Sequence, residues 1–132
     1  MSRGRRLVAL LGAAAGIGAG VAASRWLDAV EVRGGSMAPA LRSGDRVLVE
    51  SRTYERRAPR AGEVVLAADP RQRDRELIKR VAEVDAAAST VDLYGDTPGS
   101  STDSRDFGSV PLSAIRWRAV FRYWPPDRVG RL

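Results

Sequence analysis

One hydroxyl and one amine stand out in this chain because almost nothing else in it could move a proton near neutral pH. All but one of its 22 basic side chains are arginine, the exception is Lys79, and histidine and cysteine are absent. Arginine keeps its proton at any physiological pH, whereas an ammonium group in a dry pocket can lose its proton and act as a general base. Lys79 sits inside the apolar run Leu77-Ile78-Lys79-Arg80-Val81. As a strand, this run alternates faces: an inward Lys79 is driven toward its neutral form by burial, while Arg80 points the other way and stays solvated. The hydroxyl is Ser36, in Gly34-Gly35-Ser36-Met37-Ala38-Pro39-Ala40-Leu41. Two glycines ahead of a serine permit backbone angles closed to other residues and let a substrate carbonyl come close to the Ser36 amide. Taken singly, a lone lysine is what codon bias leaves behind, and Gly-Gly-Ser is an ordinary turn. Taken together they suggest a serine nucleophile with a lysine base.

The missing residue types narrow the chemistry further. Without histidine no Ser-His-Asp arrangement exists, and without cysteine there is no thiolate nucleophile, disulfide or Cys-ligated zinc. No metal and no cofactor is expected. The net charge of +6 is spread along the chain among 16 acidic residues, with no dense basic stripe, so nucleic acid is not an expected partner. An anionic membrane surface accounts better for the excess charge.

These two residues must be positioned by β structure. From Asp28 onward the chain breaks into short β-branched runs punctuated by Gly, Pro and Asp, predicting strands over Ala29 to Val32, Arg46 to Glu50, Glu63 to Ala67, Leu77 to Val84, Val91 to Tyr94 and Ala119 to Trp124. Gly95 to Gly108 reads as a long ordered loop. No amphipathic helix of normal length stands out, so a mainly β domain is expected over residues 28–132.

Residues 1–27 form a separate unit. Leu7 to Ser24 carries no charge, follows Arg3, Arg5 and Arg6, and is closed by Arg25 and Trp26. As a helix it would span about 27 Å, slightly less than the ~30 Å hydrocarbon core. Gly12, Gly16 and Gly20 form a small-residue ladder along it. It is expected to be a membrane anchor or a signal segment cleaved near Val21-Ala22-Ala23. The arginines ahead of it favour a single-pass protein at the cell membrane with the following domain on the extracytoplasmic side.

The chain resembles a bacterial type I signal peptidase, a membrane-bound serine protease with a Ser/Lys dyad. Four blocks carry the resemblance in order: Gly35-Ser36-Met37 with Pro39 and Leu41; Gly62-Glu63-Val64-Val65; Ile78-Lys79-Arg80-Val81; and Gly95-Asp96 followed by Ser101-Thr102-Asp103-Ser104-Arg105, Gly108 and Val110-Pro111. The resemblance implies a compact β domain related to that of LexA, with Ser36 as nucleophile and Lys79 as base. It implies that Ser101 orients the lysine amine, that Asp103 and Arg105 form a structural ion pair, and that an extended N-terminal segment of a substrate protein is the partner. In some relatives a serine hydroxyl two residues before the nucleophile helps bind the oxyanion; here that position is Gly34. Thr97 and Ala40 also depart from the common pattern.

The Pro98 to Arg105 run and the Tyr123-Trp124-Pro125-Pro126 tail resemble a small actinobacterial subgroup named as maturation proteases of nickel-type superoxide dismutase. Removal of that enzyme's propeptide is thus the alternative to general signal-peptide processing. A self-cleaving LexA-type repressor would need a DNA-binding helix-turn-helix ahead of the domain, whereas the segment before Ser36 is apolar. A catalytically silent membrane-tethered β module would have no use for Ser36, Lys79 and Ser101 together. Oligomeric state is not written in the sequence.

Overall fold

The computed structural model describes residues 25–132. The apolar segment Leu7 to Ser24, with its anchor or leader reading, lies outside the described residues, among which no helix is long and apolar enough to cross a membrane. The described chain is mainly β, as expected. Its strands are β1 (Leu27–Glu31), β2 (Arg46–Glu50), β3 (Val64–Asp69), β4 (Gln72–Asp85), β5 (Thr90–Tyr94), β6 (Val110–Pro111), β7 (Ile115–Trp124) and β8 (Gly130–Arg131). The helices α1 (Thr53–Arg56) and α2 (Ser104–Phe107) have one turn each.

All eight strands join one antiparallel sheet in the order β1-β2-β7-β3-β4-β5-β6, with β8 on β7. Each predicted strand forms, but β4 and β7 begin earlier than their apolar runs. The first five residues of β4, Gln72 to Glu76, are all exposed, so no alternation marks them; pairing of Gln72 with Asp69 and of Glu76 with Ala68 brackets them across a register shift. Ile115 to Arg118 joins β7 because its register against β3 sets Arg118 beside Val65 and Trp117 beside Leu66. The strands β6 and β8 have two residues each, too short for a period to show.

Alternation sorts the apolar side chains onto two faces. One cluster holds Val47, Val49, Val64, Leu66, Trp117 and Ala119 together with Val32, Met37 and Leu41. The other holds Val65, Ala67, Val81, Val91, Leu93 and Val110. A fully buried side chain of this size stabilises the fold by about 1.5–3 kcal/mol. Met37 and Leu41, at 1% and 0% exposure, therefore moor the loop between β1 and β2 to the first cluster. That loop carries Ser36.

Candidate active site

Lys79 pairs with Val65 in the β3–β4 ladder and lies on the same face as buried Val65 and Val81. It is 5% exposed. Burial pushes its amine below the usual lysine value; the Asp103 carboxylate opposes this, and Arg71, Arg75 and Arg105 add to the lowering. Its Nζ donates to Ser101 Oγ at 3.1 Å, and the Ser101 hydroxyl donates onward to Asp103 Oδ2 at 2.6 Å. With its proton committed to a carboxylate, Ser101 can only accept from Lys79. One N–H of the amine is thereby directed to Ser101, leaving the lone pair of a neutral amine free to face elsewhere.

Asp103 is completely buried and saturated with donors. Besides Ser101 it accepts from the Gly95 amide at 2.7 Å and from Arg105, whose Nη2 is 2.6 Å and Nε 3.0 Å away. Burial alone would raise the Asp103 carboxyl, but Arg105, Ser101 and the Gly95 amide more than offset it and hold it far below the usual carboxylate range. Asp103 also opens α2 through a reciprocal capping box with Asp106. The polar run read as an ordered loop is therefore fixed by one carboxylate that caps a helix and orients Ser101. Arg105 closes over it, reaching the Gly95 carbonyl at 3.0 Å with its guanidinium 4.6 Å from the Tyr94 ring centre.

Ser36 sits on the turn after β1. Gly34 has φ +82, a conformation side chains disfavour, whereas Gly35 is not in that region, so only the first glycine is needed for the turn. A Cβ at Gly35 would meet nothing within 4 Å. Two ties hold the turn to the loop after β5: the Thr97 amide donates to the Ser36 carbonyl at 2.9 Å and the Thr97 hydroxyl to the Ala38 carbonyl at 2.6 Å. That loop is in turn fixed to the lysine strand, because Arg80 grips Asp96 with two bonds of 2.9 and 2.8 Å. Arg80 does face away from Lys79. Its guanidinium is paired instead of simply solvated, a link between distant segments that strand alternation could not show.

A third set of contacts escaped the sequence reading. Buried Asp45 accepts from Arg128 Nη1 at 2.8 and 3.0 Å and from the Arg42 amide at 2.9 Å. Arg128 also donates to the Pro39 carbonyl at 3.1 Å, and Arg122 donates to the Ala40 carbonyl. Two arginines from the C-terminal end thus grip the backbone just after Ser36. The acid within Ser43-Gly44-Asp45 was legible only as turn punctuation.

Ser36 and Lys79 line one groove of about 1080 Å³. Its walls include Ala29 to Gly35 on one side and Leu77 to Lys79 on the other. Among the described residues, strand β1 is the end of the sheet and pairs only with β2, while β4 up to Lys79 pairs only with β3, its contacts with β5 starting at Arg80. Both walls therefore present free backbone edges. Following the antiparallel pairs from β1 through β2, β7 and β3 to β4 shows that the two walls run in the same direction. Each ends at one member of the Ser36/Lys79 pair. A slot with two open edges accepts an extended peptide as an added strand.

The family described as signal peptidase, peptidase S26, matches residues 4–87, more than half of the chain and a span that includes both Ser36 and Lys79. The chain belongs to the S26 signal peptidase family. Among curated relatives, the mitochondrial ATP-independent inner membrane protease subunit 1a of Arabidopsis thaliana is 34% identical over 127 residues, covering 80% of this chain and 76% of the relative. The mitochondrial inner membrane protease subunit 1 of Mus musculus is 32% identical over 117 residues, with 75% and 70% covered. The chloroplastic thylakoidal processing peptidase 1 of Arabidopsis thaliana is 45% identical over 38 residues, covering 29% of this chain and 11% of the relative. The S26 match ends before Ser101, Asp103 and Arg105, which the fold links to Lys79 through the Ser101 hydroxyl.

Among the described glycines of this S26 chain, Gly95 alone has no room for a side chain. A Cβ there would lie 2.2 Å from Ser101 Oγ and 2.7 Å from the Ser36 carbonyl oxygen. Neither can yield without moving a supporting contact of Lys79 or of the Ser36 turn. Gly95→Ala should therefore destabilise the fold by about 1–3 kcal/mol and reduce peptide hydrolysis even where the protein remains folded. Urea unfolding and an activity assay at low temperature check this, and near wild-type values in both would contradict it.

Proposed function

We propose that this chain is a membrane-associated serine endopeptidase that removes N-terminal presequences, with Ser36 as nucleophile and Lys79 as general base. The observation that carries the reading is the buried Lys79 amine sharing a two-edged groove with Ser36 and held by Ser101. Ser36 Oγ attacks the scissile carbonyl as its proton passes to neutral Lys79. The Ser36 amide donates to the developing oxyanion; Gly34 has no hydroxyl to add to it. Collapse breaks the C–N bond, and the Lys79 ammonium returns the proton to the leaving amine. Lys79 then takes a proton from water as the water attacks the acyl-Ser36 ester. The ester opens, the Ser36 hydroxyl is restored, and the leader leaves with a free carboxylate. Asp103 and Arg105 act through Ser101 and do not touch substrate.

The relatives named as inner membrane and thylakoidal processing proteases support action at a membrane. Residues 1–27 would serve as anchor or signal segment, with the protease domain of residues 28–132 on the extracytoplasmic side. Because the base must be neutral, kcat/KM should rise with pH through a single group lying below the ordinary lysine value, and then level off. The test is cleavage of a presequence-bearing protein at one bond, followed from about pH 5 to 10. A flat profile, or no cleavage, would sink the reading. Offering a secretory presequence and the propeptide of a nickel superoxide dismutase side by side separates general processing from dedicated maturation.

A further inference from the structure

The groove carries a positive charge that cleavage itself does not use. Arg75 lines it on β4, beside Glu76, where the regular β3–β4 pairing gives way to a register shift. Its side chain is 60% exposed, and the nearest carboxylate, buried Asp69, is 3.9 Å away, beyond hydrogen-bond distance. That carboxylate is already occupied by Arg71, which donates to it from its amide at 2.9 Å, its Nε at 3.0 Å and its Nη2 at 2.9 Å. Two guanidiniums share one carboxylate, and the surplus charge falls on Arg75. Of the acidic groove residues, Glu76 is 3.5 Å from Arg116, and Glu31 stands on the opposite wall. Arg46, another groove arginine, stacks 5.6 Å from the Trp124 ring.

The direction of the walls gives this charge a position on the substrate. The free edge of β4 stops at Lys79, beyond which β5 pairs with it, and β1 leads into the Ser36 turn, so the slot lies on one side of the cleaved bond. A folded mature protein cannot enter a strand-wide slot, which places the leader in it. Arg75 precedes Lys79 by four residues, about 13 Å at strand rise.

We propose that Arg75 selects substrates with an acidic side chain about four residues before the cleaved bond. The inference rests on the peptidase reading above and deepens it by naming a substrate class. Arg75 also contributes to the lowered proton affinity of Lys79, so replacing it would slow hydrolysis of every peptide. A ratio of rates between two peptides cancels that effect.

The test measures kcat/KM for peptides that differ only in Glu, Ala or Lys, placed in turn at the second to sixth residue before the cut. Wild type should favour Glu over Lys by at least about fivefold near the fourth position at low ionic strength, and less as salt is added. Arg75→Glu should reverse the order, Arg75→Lys should keep it, and Arg75→Gln, which tolerates any failure of the reversed charge to fold, should erase it. Equal rates for Glu and Lys at every position, or an unchanged ratio in Arg75→Gln, would overturn the inference and leave the peptidase reading standing. If wild type cleaves none of the peptides, or Ser36→Ala cleaves them equally fast, the peptidase reading fails and takes the inference with it.

Discussion

Lys79→Met should lower kcat/KM on a presequence peptide by roughly 1,000-fold or more, the range expected when the general base of a serine hydrolase is removed. Lys79→Arg should be equally inactive. It keeps the charge and the donors, but a guanidinium cannot give up its proton to become a base. The pair of variants separates proton transfer from simple electrostatic support, because electrostatic support would survive in Lys79→Arg. Near wild-type hydrolysis by either variant would remove Lys79 from the mechanism.

The same replacement has a signature in stability. Burial lowers the proton affinity of Lys79 in the folded protein below its unfolded value of 10.5. Between those two values the unfolded chain binds the extra proton, so the stability contributed by this group rises with pH across the window. The penalty is complete below the folded value and gone above 10.5. Lys79→Met has no such group, so wild type should gain stability relative to the variant as pH rises toward that limit. Urea unfolding at a series of alkaline pH values measures this, and parallel pH dependences would contradict the burial argument.

Ser36→Ala should reduce turnover by roughly 10,000-fold or more while leaving the fold and peptide affinity intact. No described residue hydrogen-bonds the Ser36 hydroxyl, and the bond from the Thr97 amide goes to its backbone carbonyl, which alanine keeps. The melting temperature should therefore stay within about 1 °C of wild type, since substitutions away from packed or hydrogen-bonded groups cost little. Labelling by a serine-acylating reagent should disappear in the same variant. Retained labelling at another serine, together with retained hydrolysis, would place the nucleophile elsewhere. A large fall in melting temperature would mean that the hydroxyl supports the fold.

Much of the site was legible locally. The exclusion of histidine and thiol chemistry is compositional, and the inward Lys79 follows from the apolar residues around it in β4. Turn chemistry marked Gly34 and Gly35, although only Gly34 takes the left-handed conformation. The resemblance pointed to Ser101, Asp103 and Arg105, and the fold brings them together as a connected chain ending at Lys79. Less visible were the polar start of β4, where every side chain is exposed, and the two-residue strands.

The sequence by itself determined which residue types could do chemistry, which six longer strands form and which face of β4 Lys79 occupies. These follow from neighbours along the chain through composition, alternation and turn preference. Only the tertiary structure decided that Ser36, Lys79 and Ser101 share one neighbourhood, that Arg80 grips Asp96, and that Asp45, Arg122 and Arg128 clasp the backbone behind the nucleophile. It also decided that β1 and β4 flank one groove in the same direction with open edges, which gives Arg75 a place along a substrate. Such contacts join residues far apart in the chain. They depend on strand order, register and the closing of loops over buried charge, and no local pattern encodes where two distant segments will meet.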